Sequence, residues 1–327
     1  MQPNISIVML SYYHEKYIKQ AIESVLFQVT DLTYELIIAD DCSKDATRKI
    51  ISDYANRYPD KIKPIYNEIN LGITKNLYNA ISHCTGKYIS FLSGDDFWID
   101  EKKLEKQYQF LEEHKEYVAV TGVVEARLNG KEIISCSPER RMVDKKITLR
   151  DYLSGRTFDT HSVMIHNFYN ENGGKEYMRN IVKFSPYIDD STTCILILKK
   201  GPAFTMSDHF GVYRVIKGTA NAQNYNSKNT TFQKAEKEIE LYNNMTKEFD
   251  DLDLTQLFAR CLSIAALTSL LNLSFSDYRK LYNSLPKKYK NGRTKCAVIG
   301  NMIKTGKRVI KLRILSFIKG GIDCAGN

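Results

Sequence analysis

Within its first hundred residues the chain repeats one unit: a short β-branched or aromatic run, then apolar residues at helical spacing. The runs are residues 5–10, 34–39, 62–66 and 88–92. Between them stand Ile18, Ala21, Ile22 and Val25, then Ala46, Ile50, Ile51 and Tyr54, then Ile73, Leu77, Ala80, Ile81 and Cys84. Strand-length runs separated by amphipathic helices build βαβ units, whose strands lie parallel and are covered on both faces. The pattern predicts an α/β fold around a mostly parallel sheet. Ser43 is expected to cap the second helix, and Asp100 a helix running to about residue 114.

The residues at the end of each run narrow the chemistry. The first ends at Ser11-Tyr12, the second at Asp40-Asp41 and the fourth, through Ser93-Gly94, at Asp95-Asp96. Ligands of parallel sheets collect at the carboxyl ends of the strands. An aromatic face and two carboxylate pairs on one rim suit a nucleotide and a divalent cation with oxygen ligands. Glycine is absent from residues 11–17, so the Gly-rich turn of a dinucleotide-binding dehydrogenase is missing, as is the phosphate loop a nucleotidyltransferase would want.

Beyond residue 116 strands are expected at 118–125 and 131–135, with Asn129-Gly130 as the turn, and at 160–165. Residues 148–153 and 190–199 read as helices, the latter stopped by Gly201-Pro202, and 232–285 as long helical segments. The net charge of +9 is uneven: residues 279–322 hold 13 Lys or Arg and no acid, which leaves about −4 elsewhere. Seven scattered cysteines, none spaced as CxxC, fit reduced thiols better than a disulfide frame or a zinc knuckle. The early first strand predicts no signal peptide, and no apolar stretch reaches the roughly 20 residues of a membrane span.

Residues 6–12 (SIVMLSY), 38–45 (IADDCSKD), Asn70-Leu71-Gly72 and 91–98 (FLSGDDFW) stand in the order seen in family 2 glycosyltransferases, which the chain resembles over about residues 4–220. The resemblance implies a GT-A, Rossmann-like fold and inverting transfer of a sugar from a nucleotide-sugar. It implies that Tyr12 stacks on the base, Asp41 accepts a hydrogen bond from it, Asn70 and Lys75 contact the donor, Asp95 holds the ribose and Asp96 holds Mn²⁺ or Mg²⁺. Asp189-Asp190 resembles the family's acidic pair in which the second residue is the general base, here Asp190. Ser93 stands where relatives often carry a third Asp, and Ile216-Lys217 where a His often follows the strand, leaving Arg214 or Lys217 to face the diphosphate. His161 and His209 read as structural.

The expected organisation is a glycosyltransferase domain at 1–225 (nucleotide half 1–98, acceptor half 99–225), a helical extension at 226–285 and a basic amphipathic tail at 286–327. The tail suits an anionic membrane surface, with residues 309–318 as an interfacial helix, better than nucleic acid, since no aromatic platform accompanies the charge. The expected partners are a UDP-sugar and a saccharide acceptor, lipid-linked by resemblance to surface-polysaccharide enzymes, at the cytoplasmic face of the membrane. The rival functions are a sugar-phosphate nucleotidyltransferase and a non-catalytic sugar-nucleotide-binding or scaffold protein.

Overall fold

The computed structural model describes residues 2–138, 142–155, 160–187, 190–215, 231–271 and 276–303. The chain divides into two compact units, residues 1–220 and 221–327.

The first unit opens with β1 (Ile5–Ser11), α1 (Ile18–Leu26), β2 (Tyr34–Asp40), α2 (Thr47–Arg57), β3 (Ile62–Tyr66), α3 (Ile73–Ser82) and β4 (Tyr88–Ser93). It continues with β5 (Phe97–Trp98), α4 (Lys103–Glu113), β6 (Ala119–Leu128), β7 (Glu132–Ser137), β8 (Lys145–Ile147), α5 (Leu149–Leu153), β9 (Met164–His166), α6 (Gly174–Phe184), α7 (Asp190–Lys200) and β10 (Ala203–Val215). The strands form one sheet in the order β3-β2-β1-β4-β9-β6-β10-β5, with β7 on β6 and β8 on β10. The first four are parallel neighbours, as the alternating pattern requires. Short β9 runs antiparallel to both β4 and β6, and so joins that half to the parallel pair β6 and β10.

Helical spacing explains which faces are buried. Ile18, Ala21, Ile22 and Val25 turn one stripe of α1 onto Ile5, Ile7, Met9, Leu36 and Ile38, all 0% exposed. Each of the Ile, Val, Leu and Met side chains among them contributes about 1.5–3 kcal/mol on full burial. α7 differs: Thr192 to Leu198 are all buried, so this helix is packed on every side.

Three local expectations need correction. Ser43 does not cap α2, whose N-cap is Ala46 without a side-chain bond. Its hydroxyl bonds Asp40 at 2.5 Å and accepts from the Tyr13 amide, which ties the ends of β1 and β2 together. Asp100 accepts from the Lys102 amide, but α4 begins only at Lys103. The segment expected as a strand at 160–165 opens with a 3-10 turn, Thr160–Ser162, because Ser162 turns inward to bond Thr121 and Gly122 before β9 begins.

The second unit carries helices Thr231–Glu248, Thr255–Leu271 and Ser276–Ser284 around Leu241, Tyr242, Met245, Phe258 and Leu262. Buried Tyr289 belongs to this core: its hydroxyl donates to Leu252 O and accepts from the Leu254 amide, and its ring packs on Phe258. Residues 304–327, which include the expected interfacial helix, lie outside the described residues. Among the described residues no helix is long and apolar enough to cross a membrane.

Candidate active site

The parallel strands β1, β2 and β4 end side by side, and the acidic and aromatic residues leave the sheet there. At the end of β2, Asp40 is turned inward, fully buried and held by the Ser43 amide and by Arg48 Nε at 2.6 Å. Asp41 points the other way along the rim. Its Oδ1 accepts from Asn67 Nδ2 at 3.1 Å and the Leu71 amide at 2.7 Å, and its Oδ2 accepts from the Gly72 amide at 2.9 Å. A carboxylate has about four lone-pair sites, so Oδ2 retains one for an incoming N–H. Gly72, at φ +80°, makes this possible by turning its amide back before α3 starts.

Tyr12 stands beside this carboxylate. Burial, Tyr13, Asp41 and Cys42 raise its phenol above the ordinary value, against a hydrogen bond with Asn70. Asn70 in turn donates to Asp41 O at 3.3 Å. Tyr12, Asp41 and Asn70 therefore form one group. Lys75 is exposed in the first turn of α3 and makes no hydrogen bond or ion pair with the others among the described residues.

The second acidic pair sits on the turn after β4. The Gly94 amide bonds Leu10 O at 2.8 Å, which seats this turn against β1. A Cβ on Gly94 would lie 2.8 Å from His14 Nδ1, 2.9 Å from Ile18 Cδ1 and 3.0 Å from Leu10 O, so a larger residue forces its neighbours to give. Asp95 accepts from Ser93 Oγ and faces His14 Nε2 at 3.8 Å. Burial raises its pKa, but His14, Ser93 and His161 together hold it below the ordinary value. The Ser93 hydroxyl, standing where relatives often carry an extra acid, thus donates to the Asp95 carboxylate and favours its ionised form.

Asp96 is 1% exposed. Its Oδ1 accepts from the Arg214 amide at 2.7 Å, and its Oδ2 lies 3.4 Å from His161 Nε2. Antiparallel pairing of β5 with β10 brings Arg214 here. The Arg214 guanidinium bonds Asp95 O and Gln20, between the rings of Tyr17 and Phe97. Lys217 lies outside the described residues.

Asp190 opens α7, and its Oδ1 accepts from Thr160 Oγ1 at 2.5 Å. Thr160 and His161 are neighbours in the 3-10 turn, so one short segment touches both Asp190 and Asp96. Asp189 lies outside the described residues. Sequence reasoning missed His161 and His14 as members of the site. A single histidine carries no spacing signal, and only the fold brings His161 to Asp96.

A divalent cation fits this donor chemistry. No group of three or more His, Cys, Asp or Glu poised to hold a metal is found among the described residues. Mg²⁺-type ions at nucleotides use one or two carboxylates plus phosphate oxygens, not a full protein cage. Buried Asp96 with His161 beside it matches that pattern.

A parallel rim bearing an aromatic ring and two acidic pairs, on this order of strands, is the arrangement of a GT-A nucleotide-sugar transferase fold. The glycosyl transferase family 2 model matches residues 6–182, and the chain belongs to that family. An uncharacterized Mycobacterium tuberculosis protein is 43% identical over 112 residues, 34% of this chain but only 32% of that protein's length. The putative teichuronic acid biosynthesis glycosyltransferase TuaG of Bacillus subtilis is 30% identical over 234 residues, 71% of this chain and 86% of its own. Among solved structures, S. aureus TarS 1-349 in complex with UDP-GlcNAc superposes with a TM-score of 0.62 at 16% identity, over 91% of this chain and 89% of that one. A mannosyltransferase from Pyrobaculum calidifontis in complex with GDP-Man and Mn²⁺ gives 0.53 at 16% identity, over 92% and 88%. At such identities the structures support the fold alone.

Proposed function

We propose that this glycosyltransferase is inverting and metal-dependent, and moves a sugar from a UDP-sugar to a saccharide acceptor carried on a lipid during surface-polysaccharide assembly. One observation carries the catalytic part of this reading. Asp190 and Asp96, distant in sequence, are both bound to the turn Thr160–Ser162 at the rim where β1, β2 and β4 end. The polysaccharide role is supported by the likeness to TuaG, and the uridine nucleotide by the complex that TarS forms with UDP-GlcNAc.

In this reading Tyr12 stacks on the base, and the remaining lone pair of Asp41 Oδ2 accepts its imino N–H. Asn70 fixes the phenol, Asp95 accepts from the ribose hydroxyls, and Lys75 lends charge to the diphosphate. Asp96 holds Mn²⁺ or Mg²⁺, which supplies positive charge against the leaving diphosphate. The acceptor hydroxyl attacks the anomeric carbon opposite the leaving group, and the bond from that carbon to the phosphate oxygen breaks with its electron pair. Asp190 takes the hydroxyl proton on Oδ2, because Thr160 already donates to Oδ1 and fixes the carboxylate's orientation.

A panel of UDP-, GDP- and dTDP-sugars incubated with Mn²⁺ or Mg²⁺ tests the reading. UDP-sugar cleavage that needs the metal is expected. Asp190→Asn should lower kcat by about 10²–10⁴-fold while UDP affinity stays unchanged. Tight UDP binding without turnover, indifferent to Asp190→Asn, would favour a non-catalytic binder instead.

A further inference from the structure

The turn that carries His161 is fixed from both sides. Ahead of it, Thr160 donates to Asp190 at 2.5 Å. Behind it, Ser162 is fully buried: its hydroxyl bonds Thr121 Oγ1 at 2.7 Å and Gly122, and its carbonyl accepts from Gln107 Nε2 at 2.7 Å. The His161 ring lies 5.4 Å from that of Tyr213 on β10 and is 26% exposed at its side chain. The turn is thus held in place, with His161 Nε2 3.4 Å from Asp96 Oδ2.

The separation of those two atoms is informative. Adjacent ligands of an octahedral ion at about 2.0–2.1 Å stand about 3 Å apart. At 3.4 Å, His161 Nε2 and Asp96 Oδ2 are close enough for both to reach one ion. We infer that His161 is a second protein ligand, beside Asp96, for the divalent cation of the donor complex, and that the turn Thr160–Ser162 supplies the imidazole which the sequence lacks after β10. The inference rests on the reading of Asp96 as the metal-binding acid. It places nitrogen in the coordination sphere, and an imidazole favours transition ions over Mg²⁺.

The test uses the full chain with Mn²⁺ and UDP as the probe. Pulsed EPR of the wild-type Mn²⁺·UDP complex should show coupling to an imidazole nitrogen, a readout that needs no variant to fold. In His161→Ala that coupling should vanish, Mn²⁺ affinity in the presence of UDP should fall at least about tenfold, and the preference for Co²⁺ over Mg²⁺ should shrink. UDP affinity without metal should hold. His161→Gln, which keeps a polar group near the same place, should retain the fold but not the nitrogen signal of the ring. A wild-type complex without nitrogen coupling, or His161→Ala with unchanged Mn²⁺ affinity while Asp96→Asn abolishes it, would overturn the inference and leave the parent reading standing. Undiminished Mn²⁺ binding in Asp96→Asn would overturn both.

Discussion

Gly94→Ala tests whether the acidic turn is held in place by close packing against β1 and α1. A methyl group at this position meets three atoms at once: His14 Nδ1 at 2.8 Å, Ile18 Cδ1 at 2.9 Å and the Leu10 carbonyl at 3.0 Å. The two side-chain ends can yield, but the carbonyl belongs to β1 and accepts the Gly94 amide itself. Overpacking of this kind costs about 1–3 kcal/mol. For a unit of this size each kcal/mol lowers Tm by about 2–4 °C, so a fall of about 2–12 °C is expected. Relief by motion of the turn would also carry Asp95 and Asp96 away from His14 and His161, so metal-dependent UDP affinity should drop more than metal-free affinity. Calorimetric melting and titration of UDP with and without Mn²⁺ read the two effects. Combining Gly94→Ala with His14→Ala should recover part of the loss, a coupling of about 0.5–3 kcal/mol. A variant that melts like wild type and binds Mn²⁺·UDP equally well would refute the account of the turn.

Tyr12→Ala should weaken UDP binding by about 5–150-fold, the loss of one stacking partner worth about 1–3 kcal/mol, whereas Tyr12→Phe keeps the ring and most of the affinity; calorimetric titration distinguishes them. Lys103 is fully buried between Ser90, Gln107 and the Trp98 ring, and burial pushes its ammonium well below the usual 10.5, against the pull of Asp100. From that lowered value up to 10.5 the unfolded chain binds a proton that the folded one does not, so stability rises with pH. Lys103→Met abolishes this contribution, and in urea denaturation at about pH 8 and pH 10 wild type should gain on the variant by up to about 1.4 kcal/mol per pH unit. A pH-independent difference would contradict it. Removing residues 304–327, which carry six of the 13 Lys or Arg of residues 279–322, should cut sedimentation with anionic vesicles; unaltered sedimentation would sink the membrane reading.

The sheet was readable because its cause is local. Residues 5–10, 34–39 and 88–92 are dense in apolar side chains, the signature of strands buried on both faces, whereas 62–66 at the sheet edge buries only Ile62. The same density placed Asp41 and Asp96 at strand ends. Local signals misled where a side chain had a long-range partner. Ser43 has the residue type of a helix cap, yet its hydroxyl is taken by Asp40 and the Tyr13 amide. Ser162 precedes the apolar run 163–165 and holds Thr160–Ser162 in a turn by bonding to β6. Arg214 gave no local sign that the β5–β10 pairing would bring its guanidinium onto Asp95 O. His161 had no local signal at all: its meaning depends on Asp96, which reaches it only across the folded sheet.

A crystal structure of the full chain with UDP and Mn²⁺ would show whether base, diphosphate and cation gather on this one rim. The uracil should lie on Tyr12 with its imino group at Asp41, the diphosphate should reach the cation at Asp96, and Asp190 should border the open side beyond it. A nucleotide bound away from Tyr12 and Asp41, or a diphosphate remote from Asp96 and Asp190, would contradict the account.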